Sequence, residues 1–394
     1  MYSSDGSTRS LVSDIAGSGW DFNFSRHRYH EIERPFGPHY TVYNRRLMAV
    51  CFDEIDTVDG YWLLRQKAAV LHTGEFPIQF KGPDATKLLD KLFTKNITKL
   101  KPNRCGYGLA CYEDGGLITD GVLLRLSEDL YWYVQADGDF YSWARAHATG
   151  MNVEISDPKV NVSQVQGPKA LQILQAAAED GMPEPFNYFG IATVNFDGQY
   201  VIVTRTGYTN ELGFEFYTEP HHDADALWKH LSAAGEPYGM GLHGLDSMHI
   251  RRIEAGILNA GSDFNQHTTP FDVGLERFVD LDKSDFIGKS ALENSTQQPR
   301  LIGLLCETAE PHIGADVVHN SQTIGVVTAG AMSPFMQSGI GIARLDTANF
   351  SEHDSVSIGC TDGQMHDGRL ATLPLYDKQC DIPRGNLVDI PDRT

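Results

Sequence analysis

Basic residues are scarce in this 394-residue chain, which has 32 Lys and Arg against 52 Asp and Glu and a formal net charge of −20. Proteins that bind nucleic acid neutralise backbone phosphates with clustered Lys and Arg. Here such clusters are short, as in Arg26-His27-Arg28 and Arg251-Arg252. The composition therefore argues against a nucleic-acid partner and is typical of an acidic enzyme.

Long apolar runs are also missing. The first twenty residues lack the apolar stretch of about 7–15 residues that a signal peptide needs. No later segment approaches the ~20 apolar residues of a membrane-spanning helix. We therefore expect a cytoplasmic protein with no membrane contact.

Several common site signatures are absent as well. The six cysteines form no Cys-x-x-Cys pair, and the fifteen histidines form no His-Glu-x-x-His, so we expect neither disulfides nor a metal site. No Gly-x-Ser-x-Gly stretch indicates a serine hydrolase. Gly239, Gly241 and Gly244 match the dinucleotide fingerprint in spacing, but a helical pattern and Glu236-Pro237 precede them where a strand is required.

Three regions follow one another along the chain. In residues 1–45, which are rich in Gly, Ser and charges, Pro35 and Pro38 indicate an irregular N-terminal arm. Residues 46–295 show two rounds of strands and helices, each with a Gly-Pro turn between a strand and a helix. Residues 296–394 contain short strand patterns that predict a small C-terminal β-barrel. We therefore predict an α+β fold of mixed sheets with helices, plus that barrel.

Local patterns make this prediction specific. Residues 84–96 have the spacing of a helix that Asp84 is placed to cap. The turns at 114–116 and 197–198 each join two strand patterns into a hairpin.

One acidic residue interrupts an apolar strand. Asp120 lies in the run 117–126 among Leu, Ile and Val residues. A carboxylate buried there without partners would destabilise the fold, so it is either solvated at a strand end or engaged by a polar group. From composition alone, a structural and a functional role are about equally supported.

A second segment, 206–217, carries Glu211 and Glu215 between glycines and aromatic residues. The glycines argue against a helix, and a hairpin edge is one interpretation. Two carboxylates among aromatics also suit a ligand with N–H donors and a flat ring.

These segments resemble motifs of the glycine cleavage T-protein (aminomethyltransferase) family of tetrahydrofolate-dependent enzymes. The similarity runs in order from about residue 60 to 345. Its motifs are T-G-Y-T-x-E-x-G-[FY]-E at 206–215, G-G-[ILV]-x-x-D at 115–120, Q-G-P-x-A at 166–170, R-[IL]-E-A-G at 252–256, F-I-G-[KR]-x-A-L at 286–292, and a barrel pattern at 325–344.

Within this family, the chain is most similar to the branch that contains dimethylsulfoniopropionate demethylase. The similar stretches are 40–44, 123–139 and 269–279. The chain departs from that enzyme at 206–213, where TGYTNELG replaces a tryptophan-containing stretch.

The resemblance implies a three-part folate-binding fold with tetrahydrofolate in a central channel. Asp120 matches the essential catalytic carboxylate, which would lie beside the reacting pterin nitrogen. Glu211 matches the glutamate that accepts hydrogen bonds from pterin N–H groups. The other implied cofactor-binding residues are Tyr107, Tyr188, Arg252 and Arg344.

Two departures put the aminomethyl reaction, and with it a lipoyl carrier protein as partner, in doubt. Leu71 stands where the T-protein has Asp, and the region of Gln135 lacks its Asn. Glu75 falls where the demethylase branch also has a Glu. It is a candidate substrate contact, or a strand-edge charge with equal support. With Trp132 and Tyr208 it would form a cage for a cationic donor.

The sequence thus favours a demethylase that moves a methyl group from a small-molecule onium donor to tetrahydrofolate. The alternatives are an aminomethyltransferase of the glycine cleavage system and a folate-dependent O-demethylase of methoxyaryl acids. A non-enzymatic relative that assists iron–sulfur assembly is less supported, because residues 259–264 lack the cysteine of that group.

Overall fold

The computed structural model describes residues 25–387 and 390–393. In chain order the strands are β1 (Pro38–Tyr43), β2 (Arg46–Phe52), β3 (Ala69–His72), β4 (Phe76–Lys81), β5 (Arg104–Cys111), β6 (Leu117–Arg125), β7 (Leu130–Gln135), β8 (Glu154–Ser156), β9 (Asn161–Gln166), β10 (Ile191–Phe196), β11 (Gln199–Thr204), β12 (Gly213–Thr218), β13 (Gly241–Leu242), β14 (Leu301–Cys306), β15 (Asp316–His319), β16 (Gln322–Ser333), β17 (Ser338–Leu345), β18 (Ser355–Gly359) and β19 (Met365–Ala371). The helices are α1 (His30–Glu33), α2 (Thr57–Gln66), α3 (Ala85–Leu92), α4 (Phe140–His147), α5 (Ala170–Ala177), α6 (Ala224–Gly235), α7 (Leu245–Glu254) and α8 (Lys289–Glu293).

Two sheets lie face to face in the N-terminal part. The six-stranded sheet has the order β10-β11-β12-β9-β3-β13, and the five-stranded sheet has the order β5-β6-β7-β4-β8. The outer face of the first packs on α5 and α6, and that of the second packs on α3 and α4. The inner faces share an apolar layer that includes Leu124, Val134 and Val162. Because side chains alternate along a strand, each strand contributes to both its outer core and this inner layer.

The C-terminal part is a closed barrel of strand order β14-β17-β16-β15-β18-β19. Its interior is filled by apolar residues such as Leu304, Val317 and Ile358. Residues of β16 and β17 also pack with α7 and the loops after it. The predicted α+β fold with a C-terminal barrel is therefore confirmed.

The predicted arm is partly outside the described residues, since 1–24 are not described. Residues 25–45 are more regular than Pro35 and Pro38 indicated. Pro35 lies in the first turn of a 3-10 segment, Arg34–Phe36, where a missing N–H is tolerated. Pro38 is the first residue of β1, a strand position that also tolerates proline.

This segment is anchored to the six-stranded sheet by buried rings. His27 stacks on His72 with ring centroids 5.0 Å apart, and its Nε2 bonds the Val162 carbonyl at 3.0 Å. The Tyr29 hydroxyl lies 2.9 Å from Thr218 Oγ1. Burial lowers the pKa of His27 to about 3, so its ring is neutral at physiological pH.

The local predictions are confirmed with one exception. Both hairpins form, with register from β5 to β6 and from β10 to β11. The helix after residue 84 begins at Ala85, but the Asp84 side chain accepts a hydrogen bond from the Asn152 amide at 2.7 Å and does not cap the helix. The glycines at 239–244 follow α6 and a 3-10 turn, Glu236–Tyr238. A dinucleotide site would require a strand directly before these glycines, so this order agrees with the sequence argument against such a site. Among the described residues, no helix has the length and apolarity to cross a membrane.

Candidate active site

Polar residues gather at one end of the layer between the two sheets. Asp120 lies on the inner face of β6 with Val122 and Leu124, and Glu215 lies on the inner face of β12 with Tyr217. The layer is thus apolar at one end and contains carboxylates from both sheets at the other.

Asp120 is held by a tyrosine of the neighbouring strand. The Tyr107 hydroxyl donates to Asp120 Oδ2 at 2.6 Å, and the Tyr107 ring packs on Phe278 with centroids 4.6 Å apart. Asp120 is 7% exposed. Burial raises its pKa to about 6, against the opposing effect of the Tyr107 hydrogen bond. Asp120 is therefore a carboxylate able to exchange a proton near neutral pH.

Glu75 and Glu215 are two further carboxylates of this region. Glu75 follows β3 and accepts a hydrogen bond from Thr73 Oγ1 at 2.9 Å. Glu215 accepts from Thr206 Oγ1 at 2.7 Å and from the Tyr217 hydroxyl at 3.2 Å. Burial, reinforced by the Glu215 charge, raises the pKa of Glu75 to about 8. Glu75 keeps part of its surface accessible, and its role as a substrate contact or a strand-edge charge stays a prediction.

Two further tyrosines complete the enclosure. Burial raises the pKa of Tyr43, and the charges of Glu75, Tyr208 and Asp120 add to this effect. The Tyr208 hydroxyl donates to the Leu258 carbonyl. Although protein surrounds them, Tyr43, Glu75, Tyr107 and Tyr208 each keep part of their surface accessible. We refer to this group of residues as the chamber, and its members are Tyr43, Glu75, Tyr107, Asp120, Tyr208 and Glu215.

The loop 205–212 is fixed by one glutamine. Gln166 Nε2 donates to the Thr206 carbonyl at 3.1 Å, and its Oε1 accepts from Thr209 Oγ1 at 2.9 Å. A Cβ at Gly207 or Gly213 would overlap the Gln166 amide. The two glycines of this motif therefore allow the close approach that sets Tyr208 and Glu211 in place.

Glu211 is bound by two arginines from different helices. Arg65 of α2 and Arg251 of α7 both donate to its Oε1, Arg251 through Nε at 2.8 Å. Within the described residues, no hydrogen bond is directed at Oε2. The ion pairs orient the carboxylate and leave one oxygen as an acceptor for a ligand.

Arg252 is occupied by a different partner. Its guanidinium pairs with Asp263 and also donates to the Ile257 carbonyl at 3.2 Å. Asp263 is bonded in turn by Thr328 of the barrel at 2.6 Å. The structure therefore does not support Arg252 as a binder of a ligand carboxylate and gives it a role in joining α7 to the barrel.

Trp132 also differs from its prediction. It lies in the apolar inner layer, where its indole N–H donates to Gln79 Oε1 at 3.2 Å and its ring lies 5.9 Å from that of Tyr217. The structure places Trp132 behind Tyr217, not beside Glu75 and Tyr208 in the chamber.

The remaining predicted cofactor residues lie at the margins. Tyr188 precedes β10, with the Arg384 guanidinium 6.0 Å from its ring centroid. Arg344 lies on β17 with a buried Nη1 that has no hydrogen-bond partner in the described part of the chain. Their roles remain predictions.

One group of potential metal ligands lies outside the chamber. Ligand atoms of Glu219, His221 and His222 are within 4.8 Å of one another. However, His222 Nδ1 accepts from the Glu219 amide at 3.0 Å and Nε2 bonds the Tyr200 carbonyl at 3.2 Å. Both ring nitrogens are thus engaged by the backbone.

The sequence analysis did not single out Tyr43, Arg65, Arg251 or Gln166 as site residues. Gln166 was within a recognised motif, and Tyr43 was within a demethylase-like stretch. The sequence around Arg65 and around Arg251 contains no pattern that indicates Glu211 as their common partner.

The fold and the chamber define an α+β protein with a buried acidic and aromatic site between two sheets and an appended barrel. The GCVT N-terminal domain matches residues 48–283, and the glycine cleavage T-protein C-terminal barrel domain matches residues 300–377. The chain therefore belongs to the glycine cleavage T-protein family of folate-dependent transferases, as the sequence motifs indicated.

Two similar proteins and one similar structure illustrate the family. A trimethylamine-oxide aldolase of Ruegeria pomeroyi is 31% identical over 379 residues, covering 90% of this chain and 47% of that protein. The chain thus spans about half the length of that relative. An aminomethyltransferase of Halalkalibacterium halodurans is 35% identical over 319 residues, covering 78% of this chain and 86% of that protein. The crystal structure of the glycine cleavage system aminomethyltransferase T from Bartonella henselae superposes with a TM-score of 0.81 at 23% identity, covering 90% of this chain and 99% of that one. This last similarity establishes the fold.

Proposed function

We propose that the protein is a tetrahydrofolate-dependent demethylase that takes a methyl group from a small onium compound such as dimethylsulfoniopropionate. The observation that carries the proposal is the chamber itself, a group of three carboxylates and three tyrosines in which the Tyr107 hydroxyl is bonded to Asp120 and the Thr206 and Tyr217 hydroxyls are bonded to Glu215. Carboxylates compensate a buried positive charge, and aromatic faces attract a methylated cation.

The residues present suit tetrahydrofolate. Glu211 Oε2 is an oriented acceptor for the N–H groups of a pterin, and the Tyr107–Phe278 pair offers flat apolar surface. When bound, tetrahydrofolate would supply the nitrogen nucleophile that receives the methyl group.

Asp120 would manage the proton in this reaction. A methyl group that leaves an onium donor needs no acid, because the donor departs as a neutral sulfide or amine. The accepting nitrogen must lose a proton, and Asp120 Oδ1 would take it, since Oδ2 is occupied by Tyr107. The protein would otherwise hold donor and acceptor in line and exclude water.

A second candidate donor is a methylated nitrogen compound. The relative that covers 90% of this chain is named for its action on trimethylamine oxide. Glycine betaine, dimethylglycine and trimethylamine oxide therefore join the panel of donors. The aminomethyl reaction is less supported, because the position of the T-protein Asp is Leu71, a buried residue paired with Gln164 of β9. We propose that no lipoyl carrier protein is required.

The test is a donor panel with tetrahydrofolate, read as methylated and methylene folate by mass spectrometry. Sulfonium, betaine, amine-oxide and methoxyaryl donors are each compared with wild-type protein, with Asp120→Asn, and with Glu113→Gln as a matched control on the exposed turn before β6. We expect methyl-tetrahydrofolate from an onium donor, lost in the first variant and retained in the second. Turnover only with a methoxyaryl acid, or only with aminomethyl-lipoyl protein, would reject the proposal.

A further inference from the structure

The β1–β2 hairpin begins before the matched family region, which starts at residue 48. Its tip is Tyr43–Arg46, with Asn44 and Arg45 at φ values of 49° and 62°. Two consecutive left-handed residues are typical of a tight two-residue hairpin turn. The tip therefore lies before the residues that the family model matches.

Asn44 fastens this tip to the five-stranded sheet. Its amide N–H donates to Asp137 Oδ1 at 2.9 Å and its Nδ2 donates to the Ala136 carbonyl at 3.1 Å. Its Oδ1 accepts from Gln135 Nε2 at 3.0 Å and from the Gly138 amide at 3.3 Å. One residue thus binds the whole segment that follows β7.

Arg46 fastens the other side of the tip to the residues that directly precede β4 and β9. Its Nη1 donates to the carbonyls of Glu75 and Val160, each at 2.8 Å. The tip therefore bridges the two sheets at the edge of the chamber.

Tyr43 occupies the inner side of this bridge. It packs so closely on Gly74 that a Cβ there would lie 2.7 Å from the Tyr43 Cβ. Because Gly74 directly precedes Glu75, Tyr43 lies against the backbone that carries this carboxylate.

The outer side of the bridge faces a surface cleft of about 1260 Å³. Asn44 and Arg46 line this cleft, together with Gln135, Phe76 and residues of the loop 260–267. The hairpin tip thus stands between the cleft and the chamber.

We infer that the hairpin tip is the donor-specificity element, with Tyr43 as the wall that limits the donor to a compact molecule. The inference deepens the proposed function and rests on it. A donor with a long substituent directed toward the cleft would need the space that Tyr43 and Asn44 fill. The same ring would offer its face to the methylated cation of a compact donor.

The test measures binding without turnover. Tetramethylammonium and hexyltrimethylammonium share the cationic head and differ in the length of one substituent. Calorimetry gives the ratio of their affinities for wild-type protein, Tyr43→Ala, Tyr43→Phe and Asn44→Ala. Val42→Ala is the matched control, since Val42 lies on the same strand and is 42% exposed.

We expect Tyr43→Ala to shift the ratio toward the long cation by roughly tenfold, since it opens the wall to the long substituent, while the cation–π contact that it removes is common to both ligands. Asn44→Ala should shift the ratio in the same direction by releasing the tip, whereas Tyr43→Phe and Val42→Ala should leave it within about twofold. Thermal melts identify any variant that does not fold, and Asn44→Ala decides the question if Tyr43→Ala fails.

The outcomes are distinguishable. If the wild type binds neither cation, the chamber is not an onium site and the proposed function is lost. If the wild type binds tetramethylammonium but folded Tyr43→Ala or Asn44→Ala keeps the wild-type ratio, the inference about the hairpin is wrong while the proposed function stands.

Discussion

The Tyr107 hydroxyl donates its hydrogen bond to Oδ2 of Asp120, across the β5–β6 pair, at 2.6 Å. This contact holds the carboxyl group through Oδ2 and restricts its rotation. It also stabilises the ionised form of Asp120 against the effect of burial.

Replacing Asp120 by Asn should reduce the rate of methyl transfer by about 100-fold or more, the usual contribution of a positioned acid or base. The measurement is kcat at saturating tetrahydrofolate, with Glu113→Gln as the control. A rate near that of the wild type would show that Asp120 handles no proton.

The same substitution should stabilise the protein at neutral pH. The pKa of Asp120 is raised from 3.8 to about 6, so the folded state favours the protonated form. The contribution of the protonated Asp120 carboxyl group to the free energy of unfolding is complete below pH 3.8 and is lost as pH rises through about 6. An amide at this position does not ionise, so the Asp120→Asn variant should gain up to about 3 kcal/mol in its free energy of unfolding at pH 7.5 and nothing at pH 3.5. Denaturant titrations at the two pH values check this difference.

Tyr107→Phe should move the acidic limb of the pH–rate profile to higher pH. Without the hydroxyl, the Asp120 carboxylate loses the hydrogen bond that lowers its pKa. Half-maximal activity should therefore occur at a higher pH than in the wild type, with the maximal rate less affected. An unchanged limb would mean that Asp120 is not the titrating group.

Glu75 should make cation binding depend on pH. Its pKa is raised to about 8, so it is largely protonated at neutral pH and becomes a carboxylate as pH rises. Because a cation favours the ionised form, the Kd of tetramethylammonium should fall between pH 6.5 and 9, and Glu75→Gln should flatten this dependence. Calorimetry at several pH values measures it, and equal slopes in both proteins would contradict the assignment.

Glu211→Gln should weaken tetrahydrofolate binding and also destabilise the fold. Loss of a charged acceptor costs about 1.5–3 kcal/mol of binding, which is roughly tenfold or more in Kd. Arg65 and Arg251 would lose their shared anion in a buried place, at a cost of about 3–5 kcal/mol of stability. Calorimetric titration with tetrahydrofolate and denaturant unfolding measure the two effects. Arg65→Met separates them, because it disturbs the ion pairs while the Glu211 carboxylate remains.

Most of the fold could be predicted from the sequence because its signals are local. The apolar run at 117–125 and the helical spacing after residue 84 are properties of a few neighbouring residues. Asp120 and Glu211 were also identifiable, because each stands within a short motif.

The rest of the site depends on contacts between distant segments. Arg251 and Arg252 are adjacent on α7, but helical rotation turns only the first toward Glu211 and the second toward Asp263. Similarly, the register of β7 turns Trp132 into the inner layer, while its neighbours Tyr131 and Tyr133 face α3 and α4. Such choices are made by packing, which sequence periodicity alone does not specify.

The interlock of Gln166 with Gly207 and Gly213 has a consequence for the heat of ligand binding. Because the loop 205–212 is ordered by the fold itself, its conformational entropy is lost during folding and not during binding. The heat-capacity change of binding should then come only from the apolar surface that the ligand and the chamber bury against each other. It should lack the larger change that is observed when a protein segment folds as it binds. Binding enthalpies collected across temperature would therefore give a shallow slope set by the ligand's own size.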